Sequence, residues 1–157
     1  MSHIQTVLFV CMGNICRSPM GEALLKHHAD EQGLNHLKVD SAGVGAWHAG
    51  ESPDHRMRAT ARQFGVVVEG SARKICQQDL LEFDLILCSD GDILEQVLSL
   101  GADRSRTRLM LDYHPEMEGQ DVPDPYYGGQ DGFHDVFQML DIACKELVDQ
   151  MRSGGGA

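Results

Sequence analysis

Along the chain, short runs of consecutive apolar residues alternate with longer stretches in which apolar positions recur every third or fourth residue. TVLFVC (Thr6–Cys11) is nearly all apolar, the pattern of a strand covered on both faces. Ser18-Pro19 offers a helix start, because proline is tolerated in a first turn, and Gly33 offers a stop. A second strand is expected over 37–41. Ser52-Pro53-Asp54 opens another helix, with Met57, Ala61 and Phe64 on one face and Gly65 past its end. FDLILC (83–88) repeats the buried-strand pattern, and Ile93, Leu94, Val97 and Leu98 follow at helical spacing. A fourth strand is expected over 107–111. Phe133, Val136, Phe137, Leu140, Cys144, Leu147 and Met151 form the apolar stripe of a long final helix. The mostly glycine tail 153–157 is expected to be disordered, leaving residues 1–152 as one domain.

Strands alternating with helices predict an α/β fold: a single domain on a four-stranded open parallel sheet, with helices on both faces and right-handed crossovers. Such sheets bind ligands beyond the carboxyl ends of their strands, near a topological switch point. Cys11 stands there, at the end of the first strand and just before the first helix.

The connection reads Cys11-Met12-Gly13-Asn14-Ile15-Cys16-Arg17-Ser18-Pro19, which fits neither GxGxxG nor the Walker pattern. A loop of this length can curl so that successive N–H groups point inward, forming an anion nest capped by the helix dipole. Gly13 and Asn14 suit the left-handed backbone positions that such a curl needs. Arg17 can grip two phosphoryl oxygens in its planar fork, which lysine could not. The same positive surroundings favour a thiolate at Cys11, aimed at the phosphorus of an anion in the nest, and Ser18 can donate a hydrogen bond to it. Taken alone, Cys-x5-Arg also fits a buried strand-end cysteine and a solvated arginine. Gly13, Asn14, Ser18, the strand before and the helix after turn the reading toward chemistry.

Charge and composition narrow the function further. The net charge of -11 argues against a nucleic-acid surface, and makes any anion site a local exception built from backbone N–H groups and placed arginines. No stretch approaches a membrane-spanning length, and the start MSHIQTVLFVC lacks the features of a signal peptide. The five cysteines, Cys11, Cys16, Cys76, Cys88 and Cys144, are irregularly spaced, so free thiols in a reducing cytoplasm are expected. None of the eight histidines falls in a metal-ligand spacing, and surface histidines are expected. A phosphate ester also needs a proton donor for its leaving oxygen, and composition does not choose among 24 carboxylates. Asp124 lies in the loop VPDPYYGG (122–129), where an ordinary turn aspartate is an equal reading, and Asp121 is its near neighbour.

The segment CMGNICRSPMGEALL (11–25) resembles the signature of the low-molecular-weight tyrosine phosphatases, C-x-G-N-I-C-R-S-P followed by a small residue and Glu. The likeness continues in DSAGVGAWHAGESPD (40–54), FDLILCSD (83–90) and VPDPYYGG (122–129), in order along almost the whole chain. It implies a cysteine-dependent phosphatase acting on tyrosine-phosphorylated proteins and small aryl phosphates. Cys11 would be the nucleophile, Arg17 the phosphate clamp and Asp124, directly before Pro-Tyr, the general acid. Met12, Gly13, Asn14, Ile15, Cys16 and Ser18 would form the phosphate loop. Trp47, Tyr126 and Tyr127 would wall a slot for the phenyl ring, with Met12 and Ile15 below it. Asn14 and Ser41 would hold the loop's shape by hydrogen bonds. No metal or cofactor is implied, because loop amides and Arg17 supply the positive charge.

The resemblance also suggests redox sensitivity, with oxidised Cys11 trapped reversibly as a Cys11–Cys16 bond. Two features depart from the usual pattern: Gly70-Ser71 stand where many relatives carry a histidine, and the usual Met-Asp after the third strand reads Ser89-Asp90, with Ile93 where an Asn commonly follows. A thioredoxin-coupled arsenate reductase shares the fold and loop, but needs two relay cysteines, and Cys88 closes an apolar strand. Protein-arginine phosphatases usually carry Thr at the position of Ile15. A non-catalytic phosphate-binding module is the third alternative. No membrane or nucleic-acid partner is expected, and the pattern fits a monomer or a weak dimer equally.

Overall fold

A computed structural model of the chain describes residues 4–125 and 130–155. Four parallel strands, β1 (Thr6–Cys11), β2 (Lys38–Gly43), β3 (Leu85–Cys88) and β4 (Thr107–Leu109), form one sheet in the order β2-β1-β3-β4. Helices α1 (Arg17–Glu31), α2 (His55–Gln63), α3 (Gln77–Glu82), α4 (Gly91–Ser99) and α5 (Gln130–Gly155) complete the chain. The two-residue alternation of β1 divides the core. Val7 and Phe9 join α1 and α5 in one apolar cluster, while Leu8 and Val10 join Ile86, Leu80, Ile93 and Val97 in the other. The expected four-stranded sheet covered on both faces is what forms.

Chain order places β1 beside both β2 and β3, so the connections leaving β1 and β3 diverge. That divergence opens a crevice at the carboxyl ends of these strands, the switch point of an open sheet. Cys11 ends β1 and Cys88 ends β3, putting their loops side by side.

Several boundaries differ from expectation for identifiable reasons. The fourth strand stops at Leu109, because Asp112 accepts the Leu109 N–H at 3.0 Å and bends 110–113 into a short 3-10 turn. Helix α3 was not legible: six residues with one buried leucine show no apolar stripe, and its cap is tertiary. Asp79 accepts the Cys76 N–H at 2.8 Å while Arg73 grips both Asp79 oxygens. Phe64, expected on the buried face of α2, instead follows the helix and is half exposed, stacked on Phe137 at 4.6 Å. Helix α5 runs on to Gly155, so 153–155 continue a helix where a disordered tail was expected, and 156–157 lie outside the described residues. Extending a packed helix by a turn is far easier than nucleating one.

Helix and sheet pack closely where α1 crosses β1. A Cβ on Gly21 would come 2.4 Å from the Phe9 ring, so glycine lets the helix settle directly on that ring. Phe9 is 1% exposed, and burying such a side chain contributes about 1.5–3 kcal/mol. Phe9→Ala is expected to destabilise the fold by about 3–5 kcal/mol in urea or guanidinium unfolding, because transfer and cavity costs add. Val67→Ala, at a side chain 75% exposed, should change stability by under about 0.5 kcal/mol. Equal losses from the two would refute this placement of the core.

Candidate active site

Between β1 and α1 the chain turns through five residues, and only Asn14 adopts a left-handed backbone there, with φ of 59°. Asparagine tolerates this conformation better than most residues, and its side chain fixes it here. Asn14 Oδ1 accepts the backbone N–H of Arg73 at 2.9 Å. Its Nδ2 donates to Ser18 Oγ at 2.8 Å and to Ser41 Oγ at 2.9 Å. From the other side, Gly43 at the end of β2 leaves no room for a side chain: a Cβ would come 2.8 Å from the Met12 carbonyl oxygen and 3.0 Å from the Asn14 nitrogen. The loop is thus pressed between a strand end and a hydrogen-bonded amide.

Helix α1 begins with Arg17 and has no side-chain cap and no acidic residue in its first turn. Helices α2 and α4 do have caps, Asp54 and Asp90 respectively. An uncapped N-terminus beside an apolar strand end keeps its positive end available to an anionic ligand. Among the described residues, no backbone carbonyl accepts from the N–H groups of Gly13, Asn14, Ile15 or Cys16. Pro19 sits in the first turn, where its missing N–H costs nothing.

Cys11 Sγ faces this N-terminus. Ser18 Oγ is 2.9 Å from it and the Ser18 backbone N–H donates to it at 3.4 Å. Ser18 Oγ accepts from Asn14 and keeps its single hydrogen to donate, so it can serve as the donor to a thiolate at Cys11. Both polar groups of Ser18, its hydroxyl and its backbone N–H, thus meet this one sulfur. Cys16 is treated differently: burial, then the charges of Asp54, Cys11 and Asp124, push its thiol well above the usual range. Burial does the same to Cys88 and Cys144.

Arg17 is 4% exposed and held from behind. Its Nη1 donates to Asp90 Oδ2 at 2.7 Å and to the Val122 carbonyl at 3.0 Å, and its Nη2 stands 3.7 Å from Asp124 Oδ2. These contacts join the ends of β1 and β3 to the loop carrying Asp124. The Val122 N–H donates in turn to the Ser89 carbonyl at 2.8 Å. Asp121 has another task, accepting the Gly91 N–H at 2.9 Å at the start of α4. The two neighbouring aspartates, which sequence pattern alone did not separate, face different ways.

A cavity of about 360 Å³ opens between these elements, lined by Cys11, Met12, Gly13, Ile15, Cys16, Arg17, Trp47, His48 and Asp124. Of the expected site residues, Asn14, Ser18 and Ser41 support the loop from behind, and Tyr126 and Tyr127 lie outside the described residues. Trp47 stands on the rim, 72% exposed. His48 was missed by sequence reasoning. Its ring lies where a Gly13 side chain would be, 2.8 Å from the Cβ position, and its Nδ1 is 3.1 Å from both Glu51 oxygens. Asp90 was quoted only as part of a departure; its place just before α4 was the available signal for a cap, but nothing in the sequence signals its contact with Arg17. Among the described residues, no group of three or more His, Cys, Asp or Glu side chains is placed to hold a metal ion. No described helix is long and apolar enough to cross a membrane.

The sequence profile of the low molecular weight phosphotyrosine protein phosphatases matches residues 6–155. A putative low molecular weight protein-tyrosine-phosphatase of Synechocystis is 41% identical over 149 residues, covering 92% of this chain and 95% of that protein. A protein tyrosine phosphatase from Entamoeba histolytica, solved with Hepes in its active site, superposes with a TM-score of 0.90 at 35% identity. That likeness covers 98% of this chain and 99% of the other. YwlE, an arginine phosphatase from Bacillus subtilis solved as a Cys-to-Ser variant with a phosphorylated active-site serine, matches with a TM-score of 0.85 at 28% identity over 94% of this chain and 95% of its own. With the profile running from β1 to the end of α5, the chain belongs to the family of low molecular weight phosphotyrosine protein phosphatases.

Proposed function

We propose that this phosphatase hydrolyses phosphotyrosine in proteins, and small aryl phosphates, through a phosphoryl group carried on Cys11. The observation that carries this reading is the shared cavity of Cys11, Arg17 and Asp124, which brings a nucleophile, a cation and an acid to one space. Cys11 Sγ attacks phosphorus while Asp124 protonates the departing tyrosyl oxygen. Arg17 and the loop N–H groups hold the charge that builds on the equatorial oxygens. In the second step Asp124, now a carboxylate, takes a proton from water as that water attacks the cysteinyl phosphate. Phosphate leaves and the sulfur is restored. The phosphorylated active-site serine of the YwlE variant supports a covalent step at this position of the fold.

Met12, Ile15 and Trp47 give the cavity apolar walls, which suit a phenyl ring better than a guanidinium and favour tyrosine over arginine as the phosphorylated residue. Cys88, fully buried with its thiol pushed up by burial, is a poor relay for an arsenate-reductase cycle. Cys16, buried with its thiol pushed up by burial, is a poor competing nucleophile, and its sharing the cavity wall with Cys11 supports a role in trapping an oxidised Cys11.

Cys11→Ser is expected to abolish turnover yet retain phosphate or vanadate binding in isothermal titration, since the loop N–H groups and Arg17 remain. Substantial activity in that variant would remove Cys11 as nucleophile. Arg17→Lys should lower kcat/KM by well over tenfold despite keeping the charge, because one ammonium cannot make both the forked contact and the bonds to Asp90 and Val122. A smaller loss would mean Arg17 is not the clamp.

The acid is tested through the leaving group. Nitrophenolate departs readily, whereas a tyrosyl oxygen, with a conjugate-acid pKa of about 10, needs its proton. Asp124→Asn should therefore lower kcat/KM for phosphotyrosine by about 10²–10⁴-fold and for para-nitrophenyl phosphate much less. Asp121→Asn, which alters only a helix-start contact, should show no such dependence. The opposite pattern would reassign the acid to Asp121.

A further inference from the structure

Behind the phosphate loop, the hydrogen bonds lead from Asn14 to a carboxylate that the reaction above leaves unused. Glu22 Oε1 accepts from Ser41 Oγ at 2.7 Å, and Glu22 Oε2 accepts from Lys26 Nζ at 2.6 Å. The Glu22 side chain is 15% exposed and does not line the catalytic cavity. Asp40 and Glu69 border the same small space of about 60 Å³ beside it, so Lys26 offsets a local excess of negative charge.

The direction of every bond in this chain follows from its two ends. The Arg73 backbone N–H can only donate, which turns Asn14 Oδ1 toward it and Asn14 Nδ2 toward the two hydroxyls. Each hydroxyl then accepts from Asn14 and has one hydrogen left. The Ser41 hydrogen points outward, where a carboxylate can only accept; the Ser18 hydrogen points at Cys11 Sγ. A group that donated to Ser41 instead would drive the Ser41 hydrogen against the Asn14 amide and loosen the amide from Ser18.

We propose that Glu22, held by Lys26, is a positioning residue for the nucleophile. Acting through Ser41 and Asn14, it fixes the direction of the Ser18 hydrogen bond so that a donor always faces the Cys11 sulfur. This rests on Cys11 being the nucleophile, but its test reads the sulfur without turnover.

The probe is iodoacetamide, which alkylates the thiolate, with modification of Cys11 in the full chain followed by peptide mass mapping near neutral pH. Glutamine at 22 has one acceptor for two donors, Ser41 and Lys26, and the ammonium takes it. Glu22→Gln should therefore slow Cys11 alkylation by about tenfold, the effect of losing one charge-assisted hydrogen bond, and Ser41→Ala should do the same. The concentration of inorganic phosphate that half-protects Cys11 from alkylation should move by less than about threefold in Glu22→Gln. Added to Ser18→Ala, which cuts the last link to the sulfur, Glu22→Gln should slow alkylation no further. Unchanged alkylation in Glu22→Gln would overturn the proposal. So would a full tenfold slowing that persists in the Ser18→Ala background, because Glu22 would then act on loop shape rather than through the relay. Activity surviving in Cys11→Ser would instead overturn the assignment of the nucleophile and leave the alkylation result standing.

Discussion

One amide, that of Asn14, carries the geometry of the whole site. The chain must leave a central strand and enter a helix within five residues. That demands a left-handed residue, and Asn14 supplies it at φ of 59°. The strain is tolerable because all three polar positions of the side chain are used, by the Arg73 N–H, Ser18 and Ser41. These partners come from segments far apart in sequence, so the loop keeps its shape only when the sheet is assembled. Arg73 adds to this by gripping Asp40 on β2 and Asp79 on α3.

Around that loop, carboxylates are distributed by task, which reconciles a strongly acidic chain with an anion-binding centre. Asp54 caps α2: burial pushes its carboxyl up, but bonds from Arg56 outweigh this and hold it below the usual range. Asp90 caps α4 through one oxygen and orients Arg17 through the other. Asp121 serves the start of α4, and Glu22 lies behind the loop with Lys26. Among the described residues, Asp124 is the carboxylate that lines the cavity with Cys11. Negative charge is thus tied up around the site, and α1, without a cap, keeps its positive end toward the cavity.

The thiols show the same sorting by environment. Cys16, Cys88 and Cys144 are buried, and burial pushes their thiols well above the usual range. Cys11 is equally buried at 3% exposure, yet it meets the Ser18 hydroxyl and N–H. Burial alone therefore does not distinguish the four; the two contacts with Ser18 at the sulfur set Cys11 apart from the others.

By itself the sequence determined the strand-helix alternation, the parallel sheet and the place of Cys11 at a strand end, because these follow from local periodicity and from the twist that governs every such sheet. It also singled out the loop between β1 and α1, whose residues are contiguous. It did not separate Asp124 from Asp121, since both lie in one proline-rich turn; only the docking of that turn against Arg17 gives one a place at the cavity and the other a helix start. Helix α3, the His48 ring over Gly13, the Asp90–Arg17 contact and the Ser41–Glu22 link were equally out of reach. Each depends on groups tens of residues apart or on the vacancy left by a missing Cβ. Such contacts have no period and no spacing, and they exist only once the chain has closed on itself.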